Sequence, residues 1–161
     1  FVGTDGVGGG KFETAAELAD AVRRAWPEVA DSVPYVVCTG GEPLLQVDDD
    51  LISALHAAGF EIGVESNGTL AAPDGIDWLC VSPKGCAPVV QTSGQELKLV
   101  YPQLEPGAQP ENFVGLDFQY FYLQPLDSPE VEQNTRDAVE YCLAHPRWKL
   151  SIQTHKILRI D

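Results

Sequence analysis

The chain has 161 residues, the size of one domain, and 44% are hydrophobic against 21% charged, so it can bury a core and is not disordered. Ten basic against 24 acidic residues give a net charge of −14, which disfavours gripping nucleic acid or anionic lipid but leaves room for a small anionic ligand. No apolar run approaches the ~20 residues of a membrane span, and no targeting or lipidation signal is visible.

Residues 1–10 hold five glycines and read as a flexible loop; no Walker-type Lys-Ser/Thr follows them. Thr14 with Glu17 three positions on predicts a capping box and a helix to about Trp26. Residues 34–38 read as a strand, followed by a Thr39-Gly40-Gly41-Glu42-Pro43 loop. Asp48, Asp49 and Asp50 place negative charge at the start of a second helix, whose face is expected to be Leu51, Leu55 and Ala58 and whose end is Gly59. Strands are predicted over 60–65, 76–81, 96–101 and 119–123, with a Pro- and Gln-rich loop over 102–112. Ser128 is expected to cap a long helix with Pro129 at its first position and Val131, Ala138, Val139 and Cys142 on its apolar side. His145-Pro146 stops it, a last strand covers 148–152, and Gln153-Thr154-His155-Lys156 follows as a loop.

Strand and helix alternate throughout, which means parallel β/α units, as a doubly wound sheet or a partial TIM-like barrel. Ligands of such folds bind at the C-terminal strand ends. The candidates are therefore the loops after Cys38, Glu65, Val81, Leu123 and Ile152. Two glycines after Cys38 let a ligand approach the backbone. Ser82-Pro83-Lys84 offers a hydroxyl and a cation beside a rigid turn, and Tyr122-Leu123-Gln124-Pro125 an amide where proline ends a strand. Each has an ordinary reading as a turn, a surface lysine or a strand terminus. Cys38 reads as a structural thiol, and His56 and His145 as helix residues of no chemical interest. The four cysteines are dispersed with no CxxC, which suggests reduced, cytoplasmic thiols.

Taken in order, Val37 to Leu45, Glu65 to Thr69, Val81 to Lys84, Tyr122 to Pro125 and Gln153 to Lys156 resemble the radical S-adenosylmethionine family of 7-carboxy-7-deazaguanine synthases. The segment from Phe1 to Gly6 is similar to the stretch just after that family's cysteine motif. The resemblance covers nearly the whole chain. It implies one radical-S-adenosylmethionine-type β/α domain over 1–161, a partial TIM-like (β/α) barrel incomplete at its N-terminus. It implies a lyase that converts 6-carboxy-5,6,7,8-tetrahydropterin to 7-carboxy-7-deazaguanine and ammonia, on the route to queuosine and other 7-deazapurines. S-adenosylmethionine, a 4Fe–4S cluster and Mg2+ are its cofactors, flavodoxin or ferredoxin its reductant, and a homodimer its assembly.

The resemblance assigns S-adenosylmethionine to Gly41, to Ser82, Pro83 and Lys84, and to Tyr122, Leu123, Gln124 and Pro125. It assigns the pterin to Thr39 and His155, and identifies no catalytic residue. None of Cys38, Cys80, Cys86 and Cys142 matches the cluster motif. The cluster and magnesium ligands are therefore expected before Phe1, in a longer chain of which this is the C-terminal portion; the absence of any Met agrees with that expectation. Two other readings remain open: another radical enzyme such as a glycyl-radical activase, sharing only the Gly-Gly-Glu-Pro segment, or a non-catalytic β/α binding module.

Overall fold

A computed structural model describes residues 9–27 and 29–160. The segment from Phe1 to Gly6, most of the glycine-rich loop and Asp161 lie outside the described residues. Six strands follow one another in the sheet in chain order, and every pairing register given below is parallel. Two compact units divide the chain, one of residues 1–65 with 71–79, the other of 66–70 with 80–161. No helix among the described residues is long and apolar enough to cross a membrane.

In the first unit, α1 (Ala15–Ala25) starts where Thr14 Oγ1 accepts the Glu17 N–H at 3.2 Å. Glu17 reaches back to the N–H of Glu13 at 2.9 Å, one residue earlier than a standard capping box. Strand β1 (Tyr35–Cys38) pairs with β2 (Glu61–Ser66), Tyr35 opposite Glu61 and Cys38 opposite Val64. Between them α2 (Asp49–Ala57) is capped by Asp48, whose Oδ1 accepts the Leu51 N–H at 2.9 Å. Its buried face is Leu51, Ile52 and Leu55, packed with Phe60, Ile62 and Val64 in the unit's core. The expected Ala58 is instead the C-cap. At Gly63 any Cβ would fall 2.3 Å from the Tyr35 hydroxyl, so only glycine lets that tyrosine lie across β2.

The second unit takes in Cys80 and Val81 of β3 (Trp78–Val81), with β4 (Ser93–Tyr101), β5 (Asp117–Pro125) and β6 (Trp148–Leu150). Leu97 stands opposite Phe121 and Leu99 opposite Leu123, and all four are buried. Helix α3 (Val131–Ala144) packs on β5 and β6. Trp148 meets Phe121 edge-on at 5.3 Å, and the Arg147 guanidinium lies 4.1 Å over the same ring.

Several expectations need correction here. Helix α3 starts two residues after Pro129, because the Val131 N–H bonds to the Ser128 carbonyl and closes a turn first; Ser128 caps that turn through the Glu130 N–H. Its buried residues are Asn134 and Ala138, while Val131 and Val139 are exposed. A polar residue faces inward because the Asn134 amide donates to the Leu126 carbonyl at 2.9 Å and to Ser128 Oγ at 3.1 Å. Strand β6 stops at Leu150, and residues 153–156, expected as loop, enter a short helix α4 (Thr154–Leu158) ended by Arg159 at φ 54°. The 102–112 loop holds two 3-10 turns, Pro106–Ala108 and Pro110–Asn112, with proline at the start of each.

Candidate functional site

In the first unit, Thr39 and Gly41 follow the C-terminal end of β1. Gly40 and Gly41 take φ of 84° and 57°, two consecutive left-handed residues that reverse the chain and leave main-chain groups bare. A Cβ built on Gly41 meets nothing within 4 Å, so the turn faces open space. Glu42 is committed locally, its carboxylate accepting the Leu44 N–H at 3.0 Å and capping the 3-10 turn Pro43–Leu45. Thr39 Oγ1 donates to Glu65 Oε2 at 3.3 Å, joining the ends of β1 and β2. Glu65 received no role from the sequence; its signal was its place at a strand end. A hollow of about 360 Å³ lies beside this turn, lined by Phe12, Cys38, Thr39, Gly40, Pro43 and Val47 among others. Burial pushes the Cys38 thiol up, which argues against a reactive thiolate.

In the second unit, Ser82, Pro83 and Lys84 leave β3. The Ser82 N–H donates to the Ser66 carbonyl at 2.8 Å, and its hydroxyl donates to the Lys98 carbonyl on β4 at 2.9 Å. Lys84 Nζ donates to the same hydroxyl at 3.4 Å. Pro83 is buried and Lys84 exposed. Tyr122 to Pro125 end β5, with Tyr122 opposite Lys98 and Gln124 opposite Val100. The Leu123 side chain is buried in the core and its carbonyl accepts the Ser151 N–H, so both are already engaged. Gln124 and Pro125 line a hollow of about 320 Å³ with Val131, Ile152, Gln153 and Lys156. His155 sits on α4 with an exposed ring, and its neighbour Lys156 pairs with Asp127. Thus Ser82 and Tyr122 both adjoin Lys98 on neighbouring strands, and Gln124 lines one hollow with Gln153 and Lys156, which flank His155 in the chain. Thr39 and Gly41 belong to the first unit.

Among the described residues, no group of three His, Cys, Asp or Glu side chains is placed to hold a metal, and the four cysteines are dispersed thiols outside any disulfide. The described residues do not fit a 4Fe–4S cluster or a magnesium site.

No family model matches the sequence. Known proteins do. The chain is 63% identical over 158 residues to 7-carboxy-7-deazaguanine synthase of Caulobacter vibrioides, covering 98% of this chain and 74% of that protein. It is 62% identical to the synthase of Bradyrhizobium diazoefficiens, covering 99% and 75%. The chain belongs to the 7-carboxy-7-deazaguanine synthase family. The crystal structure of QueE from Escherichia coli matches with a TM-score of 0.63 and 26% identity over 86% of this chain. The chain spans 63% of that solved protein's length, less than two thirds. The match agrees with the α/β class expected from the alternation of elements and with a partial β/α barrel. Membership in a synthase family also makes this an enzyme's chain, and the strand-end segments that carried the resemblance run the length of the aligned region.

Proposed function

We propose that this chain is the ligand-binding part of a radical S-adenosylmethionine lyase that converts 6-carboxy-5,6,7,8-tetrahydropterin to 7-carboxy-7-deazaguanine and ammonia. The observation that carries the reading is the 63% identity to a synthase of that name over nearly the whole chain. S-adenosylmethionine, reduced by a 4Fe–4S cluster, supplies the radical when bound; the cluster and Mg2+ would be held by residues other than those described. A flavodoxin or ferredoxin is the reductant of this reading and a homodimer its assembly.

The chain's own residues bind and orient. The bare main chain at Gly41 takes the methionine part of S-adenosylmethionine, a role supported by its positive φ and open surroundings. Ser82, Pro83 and Lys84 line the same ligand, with Ser82 fixed by two main-chain hydrogen bonds before any ligand arrives. Tyr122, Gln124 and Pro125 face the adenine, and Leu123 sets their position through its buried side chain. Thr39 and His155 contact the pterin. Positioning and exclusion of water are the protein's work, and the cofactor performs the bond-breaking. The test is anaerobic turnover by the full-length, cluster-loaded enzyme with S-adenosylmethionine and reductant. Product with the mass and ultraviolet spectrum of 7-carboxy-7-deazaguanine is expected. Cleavage of S-adenosylmethionine with no conversion of the pterin would overturn the substrate assignment.

A further inference from the structure

Strand β4 lies between β3 and β5 in the sheet, and of these three C-terminal ends only its own carries none of the segments that resemble a known family. A hollow of about 320 Å³ opens at that end. Pro83 and Lys84 line it where β3 ends, and Leu126, the residue after Pro125, where β5 ends. Val100 and Leu104 line it from β4 and the loop that follows. Leu104 is 95% exposed, the most exposed large apolar side chain among the described residues. A single leucine in water is ordinary. This one is displayed on a loop with little freedom left. Gln103 Nε2 donates to the Val100 carbonyl at 2.8 Å. Gln109 Nε2 donates to the carbonyls of Gln103 at 2.7 Å and Glu105 at 3.1 Å, so the main chain is pinned on both sides of Leu104. Leu126 is pinned likewise, its N–H on the Tyr101 carbonyl at 2.7 Å and its own carbonyl on the Asn134 amide, and it is 40% exposed. Ordering a loop costs conformational entropy, and here that cost is met before a ligand arrives, so apolar contact made in the hollow is returned nearly in full as affinity.

We propose that the loop after β4 is the apolar wall of the S-adenosylmethionine seat, with Leu104 and Leu126 packing against the nucleoside of that ligand. The proposal rests on the function proposed above, which gives the ligand to the ends of β3 and β5 and leaves the strand between them unassigned. Adenine and ribose are its neutral part. They suit two leucines better than the charged methionine part does, or the carboxylated pterin.

The experiment titrates S-adenosylmethionine, 5′-deoxyadenosine and 6-carboxytetrahydropterin separately into the full-length, cluster-loaded enzyme and into Leu104→Ala, Leu104→Met and Leu104→Asp. Leu143→Ala is the control, since Leu143 on α3 is 78% exposed and does not line this hollow. Leu104→Ala should weaken S-adenosylmethionine and 5′-deoxyadenosine by the same factor, about four- to 50-fold, the scale of one to three buried methylene groups, and the pterin less than about twofold. Its melting temperature should equal that of wild type, because the leucine is exposed until the ligand covers it. Leu104→Met should restore most of the affinity, Leu104→Asp should lose more than Leu104→Ala, and Leu143→Ala should change nothing. Full nucleoside affinity in Leu104→Ala and Leu104→Asp, or an equal loss for the pterin, overturns the proposal. So does a lowered melting temperature or a dissociated oligomer in Leu104→Asp, since the protein itself would then cover the leucine. With S-adenosylmethionine still bound by wild type, each of these results leaves the function proposed above standing. A wild-type enzyme that binds no S-adenosylmethionine overturns that reading and this proposal with it.

Discussion

Gly41 allows conformation and ligand approach to be separated in one position. Its φ of 57° is left-handed, and a Cβ there would meet no protein atom within 4 Å. Gly41→Ala therefore introduces strain but no clash. The left-handed conformation costs an L-residue ~1–2 kcal/mol. In a domain of this size each kcal/mol moves the melting temperature by ~2–4 °C, so the expected drop is roughly 2–8 °C. Asparagine tolerates the left-handed region far better than alanine, so Gly41→Asn should keep most of the wild-type stability. Both variants place a side chain in the space where the ligand would approach the bare turn. Both should lose S-adenosylmethionine affinity, about tenfold or more, an estimate that takes one displaced hydrogen bond to a charged group as its scale. Thermal denaturation and ligand titration of the full-length enzyme measure the two effects independently. An unchanged melting temperature in Gly41→Ala would refute the strain argument. Full affinity in Gly41→Asn would show that the open space at Gly41 is not where the ligand comes close.

His155→Ala should leave melting unchanged, because the ring is exposed, while pterin affinity falls about five- to 150-fold, the cost of one desolvated hydrogen bond; equal pterin affinity would reduce it to a surface residue. The hydrogen bond from His56 at 3.0 Å, then the Ile62 N–H, hold the Asp77 carboxyl below its ordinary value. A depressed acid contributes stability above its unfolded pKa and loses it as pH falls, so Asp77→Asn should be less stable than wild type near neutrality and the gap should close below about pH 4. Asp77 is half-exposed, so the gap is small; a gap that widens in acid would contradict the assignment. The buried Trp148 Nε1 has no hydrogen-bond partner among the described residues, so Trp148→Phe forfeits volume but no bond and should cost only about 1–2 kcal/mol in urea unfolding. A loss above about 3 kcal/mol would mean that the N–H is satisfied after all.

The strand ends were legible because they carry punctuation: two glycines after Cys38, a proline one residue past Ser82, and Pro125 closing β5. Lengths were less so. Strand β4 begins at Ser93 and β5 at Asp117, although Ser93, Gly94 and Asp117 are poor strand formers; their pairing with each other's strands overrides local preference. Helix α4 has no side-chain cap and only five residues, too few for a periodic signal. Asn134 and His56 could not be read at all. One is buried because a carbonyl eight residues earlier needs a donor, and the other, dismissed as inert, meets an aspartate 21 residues on. Such partners depend on tertiary placement, which no local window contains.

The alternation of β4 and β5 separates the side that holds the second unit together from the side that carries its charges. Leu97, Leu99, Phe121 and Leu123 form one side and are each 0–1% exposed, so truncating any of them opens a cavity in a packed layer. Glu96, Lys98, Tyr120 and Tyr122 form the other and are only partly buried. The two sets interleave residue by residue, so a one-residue slip in register would exchange them and bury two charges in the core. That penalty fixes the register. The same fixed register delivers Lys98 between Ser82 and Tyr122, so the core residues that determine the fold also aim the charged ones.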